Sequence, residues 1–314
     1  MQQINNWLST TPYHDYTLEV ASVDASFRRY FRLRKANVSV ILMDAALEKA
    51  SLAPFVDVTK RLLAVGVHAP AILEMNLEAG LLILEDLGDL QLLDALQPSN
   101  YLNSYSLALE EILKMQQAET TGLPLYDKAF LHFEMELMQT WFLEQYIELE
   151  LDKNDINCIQ ESLDAISDEV LKQPQGYFVH RDFHSRNIMV RQDGVLGVID
   201  YQDAMNGALT YDLVSLLRDL YIELPKEMVI QLLLAFRDIS APDIDDATFI
   251  RWFDFMGLQR HIKVLGIFAR LYLRDDKDGY LKDLPLTLKY TLDVTAKYPE
   301  TQALHRLLSQ VRLP

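Results

Sequence analysis

Asp182 and Asn187 lie five residues apart in "HRDFHSRNIMV" (180–190), a polar run that turns abruptly apolar. A carboxylate can accept a proton, and an Asp and an Asn offering oxygens to one point suit a hard divalent cation such as Mg²⁺. Such a pair is common by chance, with Asp182 as a turn residue and Asn187 as a strand end. The residues after Asn187 give it weight. "NIMVRQ" and "VLGVIDY" are apolar runs separated by Asp193-Gly194, a strong two-residue hairpin signal. Counting outward from that turn pairs Gln192 with Val195, Ile188 with Ile199 and Asn187 with Asp200. The hairpin is expected to set Asn187 beside Asp200 as metal ligands, with Asp182 alongside as the proton acceptor.

The elements that must position these groups fall into two regions. In the first ninety residues, "FRRYFRLR" (27–34), "VSVILMD" (38–44), "AILEMN" and "GLLILED" read as strands. "PFVDVTKRLLAVGV" (54–67) reads as a helix, with Pro54 at a first helical position and Gly66 as its stop. From about Leu92 long amphipathic runs take over, such as "YLNSYSLALEEILKMQQ" and "HFEMELMQTWFLEQYIELEL". They are interrupted by the strand-rich island at 177–200, and helices resume from about Asp212. We expect an α+β fold of two lobes: a small β-rich lobe over 1–88 and a larger helical lobe over 89–314.

Composition narrows the function. The chain has 314 residues and a net charge of −17, which disfavours nucleic acid as a partner. The single cysteine, Cys158, excludes an internal disulfide and fits a reducing cytoplasm. "MQQINNWLST" shows no secretory pattern, and apolar runs such as "VIQLLLAF" (229–236) are far short of a membrane span. No obligate protein partner is implied.

His180-x-Asp182-x₄-Asn187, then a hairpin, then an aspartate resembles the catalytic and metal loops of the kinase-like fold. With "GVIDYQDAMNGALTYDLVSLL" the stretch resembles the aminoglycoside phosphotransferase and choline kinase family, in which "IDY" replaces "DFG". "DASFRRYFRL", "LILEDLGD" and "LQRHIKVLGIFARLYLRDDKDGYLKDLP" further resemble the bacterial kinases that phosphorylate the anomeric hydroxyl of N-acetylmuramate and N-acetylglucosamine in cell-wall recycling. The resemblance implies ATP and Mg²⁺ as cofactors and a small-molecule sugar as substrate. It implies Asp182 as catalytic base, His180 as the histidine orienting the loop, and Asp212 as a buried acid bracing it. It also implies a linker at "LEDL", where the Glu85 carbonyl and the Leu87 N–H would meet the adenine edge.

Two kinase features are altered. The phosphate-covering turn, "SVDASFRRYF" (22–31), has no glycine. Ser26 and Phe27 in that turn, with Arg28, Arg29 and Arg32, are the candidates for holding phosphate. The strand lysine that clamps phosphates is replaced by Met43, and neither Lys35 nor Lys49 fits its place. Between Asp200 and Asp212 there is no room for a long activation segment. His184, Asp203 and Arg218 are candidates for sugar contacts, and Arg260 and His261 could also face the cleft. Three alternatives stay open: an aminoglycoside or choline kinase, a binding protein without turnover (suggested by Met43), and a metal-dependent hydrolase using His180, Asp182 and His184.

Overall fold

Alternating apolar residues build an antiparallel sheet from the first eighty-five residues. Its strands are β1 (Thr17–Val23), β2 (Arg29–Lys35), β3 (Val38–Asp44), β4 (Ile72–Asn76) and β5 (Leu81–Glu85), in the order β1-β2-β3-β5-β4. The computed structural model describes residues 1–23 and 28–314. On the outer face, Phe31, Leu33, Val40, Leu42, Leu81 and Ile83 bury against Ile4 and Leu8 of helix α1 (Gln2–Leu8). On the inner face, Met43, Leu82 and Leu84 join a second core with α2 (Leu52–Ala64), which starts two residues before the expected Pro54. After α2 the chain leaves through Gly66 at φ +78°, a left-handed exit that suits glycine. α1 and β1 fall outside the sequence-based expectation.

The rest is helical around one small β island. α3 (Leu92–Ala95), α4 (Tyr101–Met115), α5 (Lys128–Leu137) and α6 (Lys153–Val170) precede it. β6 (Gln175–Val179), β7 (Ile188–Val190), β8 (Leu196–Val198) and β9 (Met205–Ala208) form it, with β6 paired to β9 and β7 to β8. α7 (Tyr211–Leu217), α8 (Lys226–Ser240), α9 (Asp246–Asp275), α10 (Leu284–Thr295) and α11 (Gln302–Leu308) follow. α5 continues into a π-helical stretch, Met138–Tyr146, that packs on α9. Gly266 allows the approach: a Cβ there would lie 2.3 Å from the Leu137 carbonyl carbon. No helix among the described residues is long and apolar enough to cross a membrane.

The hairpin differs from expectation by one residue. Ile188 pairs with Val198, Met189 with Gly197 and Val190 with Leu196. The loop is therefore Gln192-Asp193-Gly194, closed by Gly194 N–H to Arg191 O (3.0 Å) and Arg191 N–H to Val195 O (3.1 Å). Gly194 at φ +81° is the left-handed third residue of a three-residue turn. This register sets Asn187 opposite Ile199, whose N–H it accepts at 3.0 Å. A one-residue slip would ordinarily send Asp200 to the far face. Asp200 instead takes φ +65°, which breaks the pleat. Its carboxylate Oδ2 lies 3.3 Å from the Asn187 amide nitrogen.

Candidate active site

The loop between β6 and β7 is held by carboxylates that approach from α7. Asp212 accepts the backbone N–H of His180 (2.7 Å) and of Arg181 (3.0 Å). Asp219, just past α7, accepts the N–H of Ser185 (2.9 Å) and of Tyr221 (3.0 Å). Both acids are buried, so these bonds form where water cannot compete. His180 is fully buried, and burial holds its pKa below the ordinary imidazole value. Its Nε2–H donates to Ile199 O (3.0 Å), while Nδ1 accepts the Asp182 N–H (3.3 Å). One neutral imidazole thus ties the catalytic loop to the end of the hairpin. Arg181 is held at φ +78°, so Arg181 and Asp200 are two left-handed non-glycine residues within one site. Such conformations concentrate where function demands a particular geometry.

The Asp182 carbonyl accepts the His184 N–H at 3.1 Å and the Asn187 amide at 3.0 Å. The same amide nitrogen donates to Asp200 Oδ2 (3.3 Å), which leaves Oδ1 as the Asn187 atom that would serve a cation. Among the described residues no group of three or more His, Cys, Asp or Glu side chains could hold a metal ion. One amide oxygen and one carboxylate suit Mg²⁺, which keeps water and phosphate oxygens as its other ligands. Both ring nitrogens of His180 are already engaged with the backbone, so the His180–Asp182–His184 set does not form a hydrolase metal centre.

Behind Asp182 lies a buried polar cluster. Glu134 receives Arg181 Nη2 at 2.5 Å, and Lys263 Nζ lies 3.2 Å from its carboxylate. Lys263 also donates to Tyr211 OH at 3.0 Å. Tyr126 OH and Gln259 complete the shell around Glu134. Burial pushes the Asp182 carboxyl up, but Lys263 above all, with Arg260 and Arg181, overrules it and brings it down to about 2. Asp182 is therefore ionised at neutral pH. Burial lowers His184 to about 4, so that ring is neutral. A cavity of about 650 Å³ lies between the lobes, lined by apolar Ile41, Leu84, Met189 and Ile199 and by polar Asp182, His184, Asn187 and Asp200.

Residues 17–248 match the model of the phosphotransferase enzyme family (APH). The chain belongs to that family. It is 39% identical to the N-acetylmuramate/N-acetylglucosamine kinase of Neisseria meningitidis serogroup B, over 98% of this chain and 95% of that one. Against the protein of the same name from Pseudomonas aeruginosa the identity is 36%, over 99% and 96%. Among solved structures it resembles the ADP-bound aminoglycoside phosphotransferase APH(2'')-Ib (TM-score 0.63, 16% identity, 93% of this chain and 98% of that one). It also resembles a choline/ethanolamine kinase family protein from Mesorhizobium loti (TM-score 0.64, 12% identity, 98% and 99%).

Against this family background, the N-terminal wall differs from the sequence-based expectation. Ser26 and Phe27 lie outside the described residues. Arg29 shares the outer face with Phe31 and pairs with Asp44, so strand alternation turns it away from the cavity. Arg32 does line the cavity. Its guanidinium, however, is bound by Asp86 (2.7 and 3.0 Å) and Asp89 (2.5 Å), which ties β2 to the interlobe linker. Arg28 is buried 3.6 Å from Glu48 and borders a smaller cleft that also contains Asp200. Met43 is fully buried against Tyr30 and Leu82, its paired neighbours. Glu85 and Leu87 line the cavity. The Glu85 side chain binds Arg191 (2.6 Å), His68 (3.0 Å) and the Ala71 N–H (3.3 Å), joining linker to hairpin.

Of the sugar candidates, only His184 lines the main cavity. Asp203 borders the smaller cleft beyond Asp200. Arg218 is a correction: it is locked onto Asp254, lies over the Phe253 ring and abuts Gly257 inside the α7–α9 packing. Arg260 and His261 are buried and line neither cleft. Sequence reasoning missed Asp219, Lys263, Arg186 and Tyr221. Asp219 stands seven residues after Asp212, the same face of a helix two turns on, which is the signal that could have found it. Lys263 interrupts the apolar run of α9 and carries a similar hint. Arg186 and Tyr221 sit in loops, where no periodicity marks them.

Proposed function

We propose that this protein is an ATP- and Mg²⁺-dependent kinase that phosphorylates the anomeric hydroxyl of N-acetylmuramate and N-acetylglucosamine. The phosphoryl-transfer part rests on one observation: an ionised Asp182 stands beside Asn187 and Asp200 in a cavity shared by both lobes. The choice of sugar rests on likeness over nearly the whole chain to kinases named for those two substrates. Residues 1–88 act as the nucleotide lobe, and residues 89–314 carry the catalytic and substrate groups. Glu85 and Leu87 serve the adenine edge through their backbone atoms. A cytoplasmic site of action supplies the ATP and keeps Cys158 a thiol.

Asn187 and Asp200 would hold Mg²⁺, which supplies charge neutralisation for the phosphate oxygens. Asp182 accepts the proton of the C1 hydroxyl as its oxygen bonds to the γ-phosphorus and ADP departs. A C1 hydroxyl is more acidic than an ordinary alcohol, so one carboxylate suffices as base. His180, Asp212 and Asp219 fix the loop so that Asp182 need not reorganise. The test is a panel of N-acetylmuramate, N-acetylglucosamine, choline and kanamycin with ATP and Mg²⁺, following ADP release and loss of the sugar's reducing end. Turnover with the two sugars and loss of their reducing ends is expected. Turnover confined to choline or kanamycin would overturn the assignment.

A further inference from the structure

Two arginines line the main cavity, Arg32 and Arg186. Arg32 is already bound by two carboxylates. Among the described residues Arg186 has no acid within ion-pair distance, and it lies 3.6 Å above the ring of Tyr221. Its place is preset. Ser185, the preceding residue, and Tyr221 are both held through backbone N–H groups by the buried carboxylate of Asp219. Stacking fixes the guanidinium plane and leaves its edge N–H groups for a planar anion. Arg260, buried nearby, adds positive charge that acts on Asp182, His184 and Tyr221. Its Nη1 has no hydrogen-bond partner. Arg186 acts electrostatically on the Asp283 carboxyl but makes no ion pair with it.

We propose that Arg186, stacked on Tyr221, binds the lactyl carboxylate of N-acetylmuramate and so sets the preference between the two sugars. This role rests on the sugar-kinase reading. N-acetylmuramate differs from N-acetylglucosamine by a 3-O-lactyl group ending in a carboxylate, the group a bidentate guanidinium recognises. N-acetylglucosamine would occupy the same pocket with water over Arg186. The residue positions one substrate and takes no part in bond making, so its removal acts mainly on KM.

The wild-type protein, Arg186→Met and Arg186→Lys are compared on N-acetylmuramate, its neutral lactyl carboxamide and N-acetylglucosamine. Wild type is expected to favour the acid over the carboxamide by about 10–100-fold in kcat/KM, the range of a charge-assisted hydrogen-bond pair. That ratio should fall toward one in Arg186→Met, mostly through KM, with Arg186→Lys between. Equal use of acid and carboxamide by wild type would overturn the assignment, and so would an unchanged ratio in Arg186→Met. Parallel losses on all three with a raised KM for ATP would place Arg186 on the phosphates instead. Should Arg186→Met fail to fold, the wild-type comparison and Arg186→Lys decide. No turnover of either sugar by wild type would overturn the sugar-kinase reading itself, and this one with it.

Discussion

On the C-terminal wall of the cleft, acids organise backbone. Asp212 and Asp219 take up the N–H groups of residues 180, 181 and 185, and His180 bridges the loop to the hairpin. The side chains of Asp182 and Asn187 are thereby aimed at the cavity. On the N-terminal wall, acids occupy cations instead. Arg29 is taken by Asp44, Arg32 by Asp86 and Asp89, and Arg28 lies near Glu48. One wall is preorganised for chemistry. The other spends its charges on holding strands, linker and the segment before α2 together. Met43, where a lysine is expected, belongs to the same pattern: it is fully buried on the inner face of β3.

The contrast can be broken from either side. The largest effect is expected at Asp200: Asp200→Ala should abolish Mg²⁺-dependent phosphoryl transfer, measured by titrating Mg²⁺ against ADP release. Normal Mg²⁺ dependence would count against the C-terminal wall as the metal site. Next comes Glu134→Gln, which leaves Arg181 and Lys263 buried without their anion. A loss of about 3–5 kcal/mol in urea unfolding at pH 7 is expected. The pH sign follows from its shift. Burial raises the Glu134 carboxyl, but Lys263 and Arg181 carry it below its ordinary value. Its contribution is therefore present above the unfolded pKa of about 4.5 and fades as pH falls below it. The gap between wild type and Glu134→Gln should narrow between pH 6 and pH 3.5. A constant gap would mean that folding does not shift the Glu134 pKa, and a gap that widens toward low pH would mean that Glu134 is protonated in the folded protein.

Asp212→Ala should cost about 1–3 kcal/mol for each N–H it orphans, read from the same unfolding curves. It should also lower turnover with little change in KM for ATP. The smallest effect belongs to Arg29→Ala. Arg29 is exposed while Asp44 is buried and keeps the Ala46 N–H (3.1 Å), so a loss of about 1 kcal/mol is expected, and KM for ATP should not move. A marked rise in that KM would return Arg29 to the phosphate site and erase the difference between the walls.

The same contrast explains what could be read from the sequence. The polar wall is legible because His180, Asp182 and Asn187 are local, and Asp200 lies one hairpin away. Even there the expected register is off by one residue, since Asp-Gly admits both a two-residue turn and a longer loop with Gly194 left-handed. The left-handed Asp200 restores the proximity that the register alone would have removed. The destinations of Arg32 and Arg218 are not legible. Their partners lie more than thirty residues away, at Asp86, Asp89 and Asp254, and no local pattern reports such a pairing. α1 and β1 escape because α1 buries only Ile4 and Leu8 and no described side chain of β1 is fully buried.

The proposed phosphoryl transfer makes Asp182 the base, and one measurement tests that most directly: the rate of transfer from ATP to N-acetylmuramate by Asp182→Asn, under saturating Mg²⁺. A fall of about 10²–10⁴-fold is predicted, with thermal stability and ATP affinity close to wild type. An undiminished rate in a folded, ATP-binding variant would contradict it.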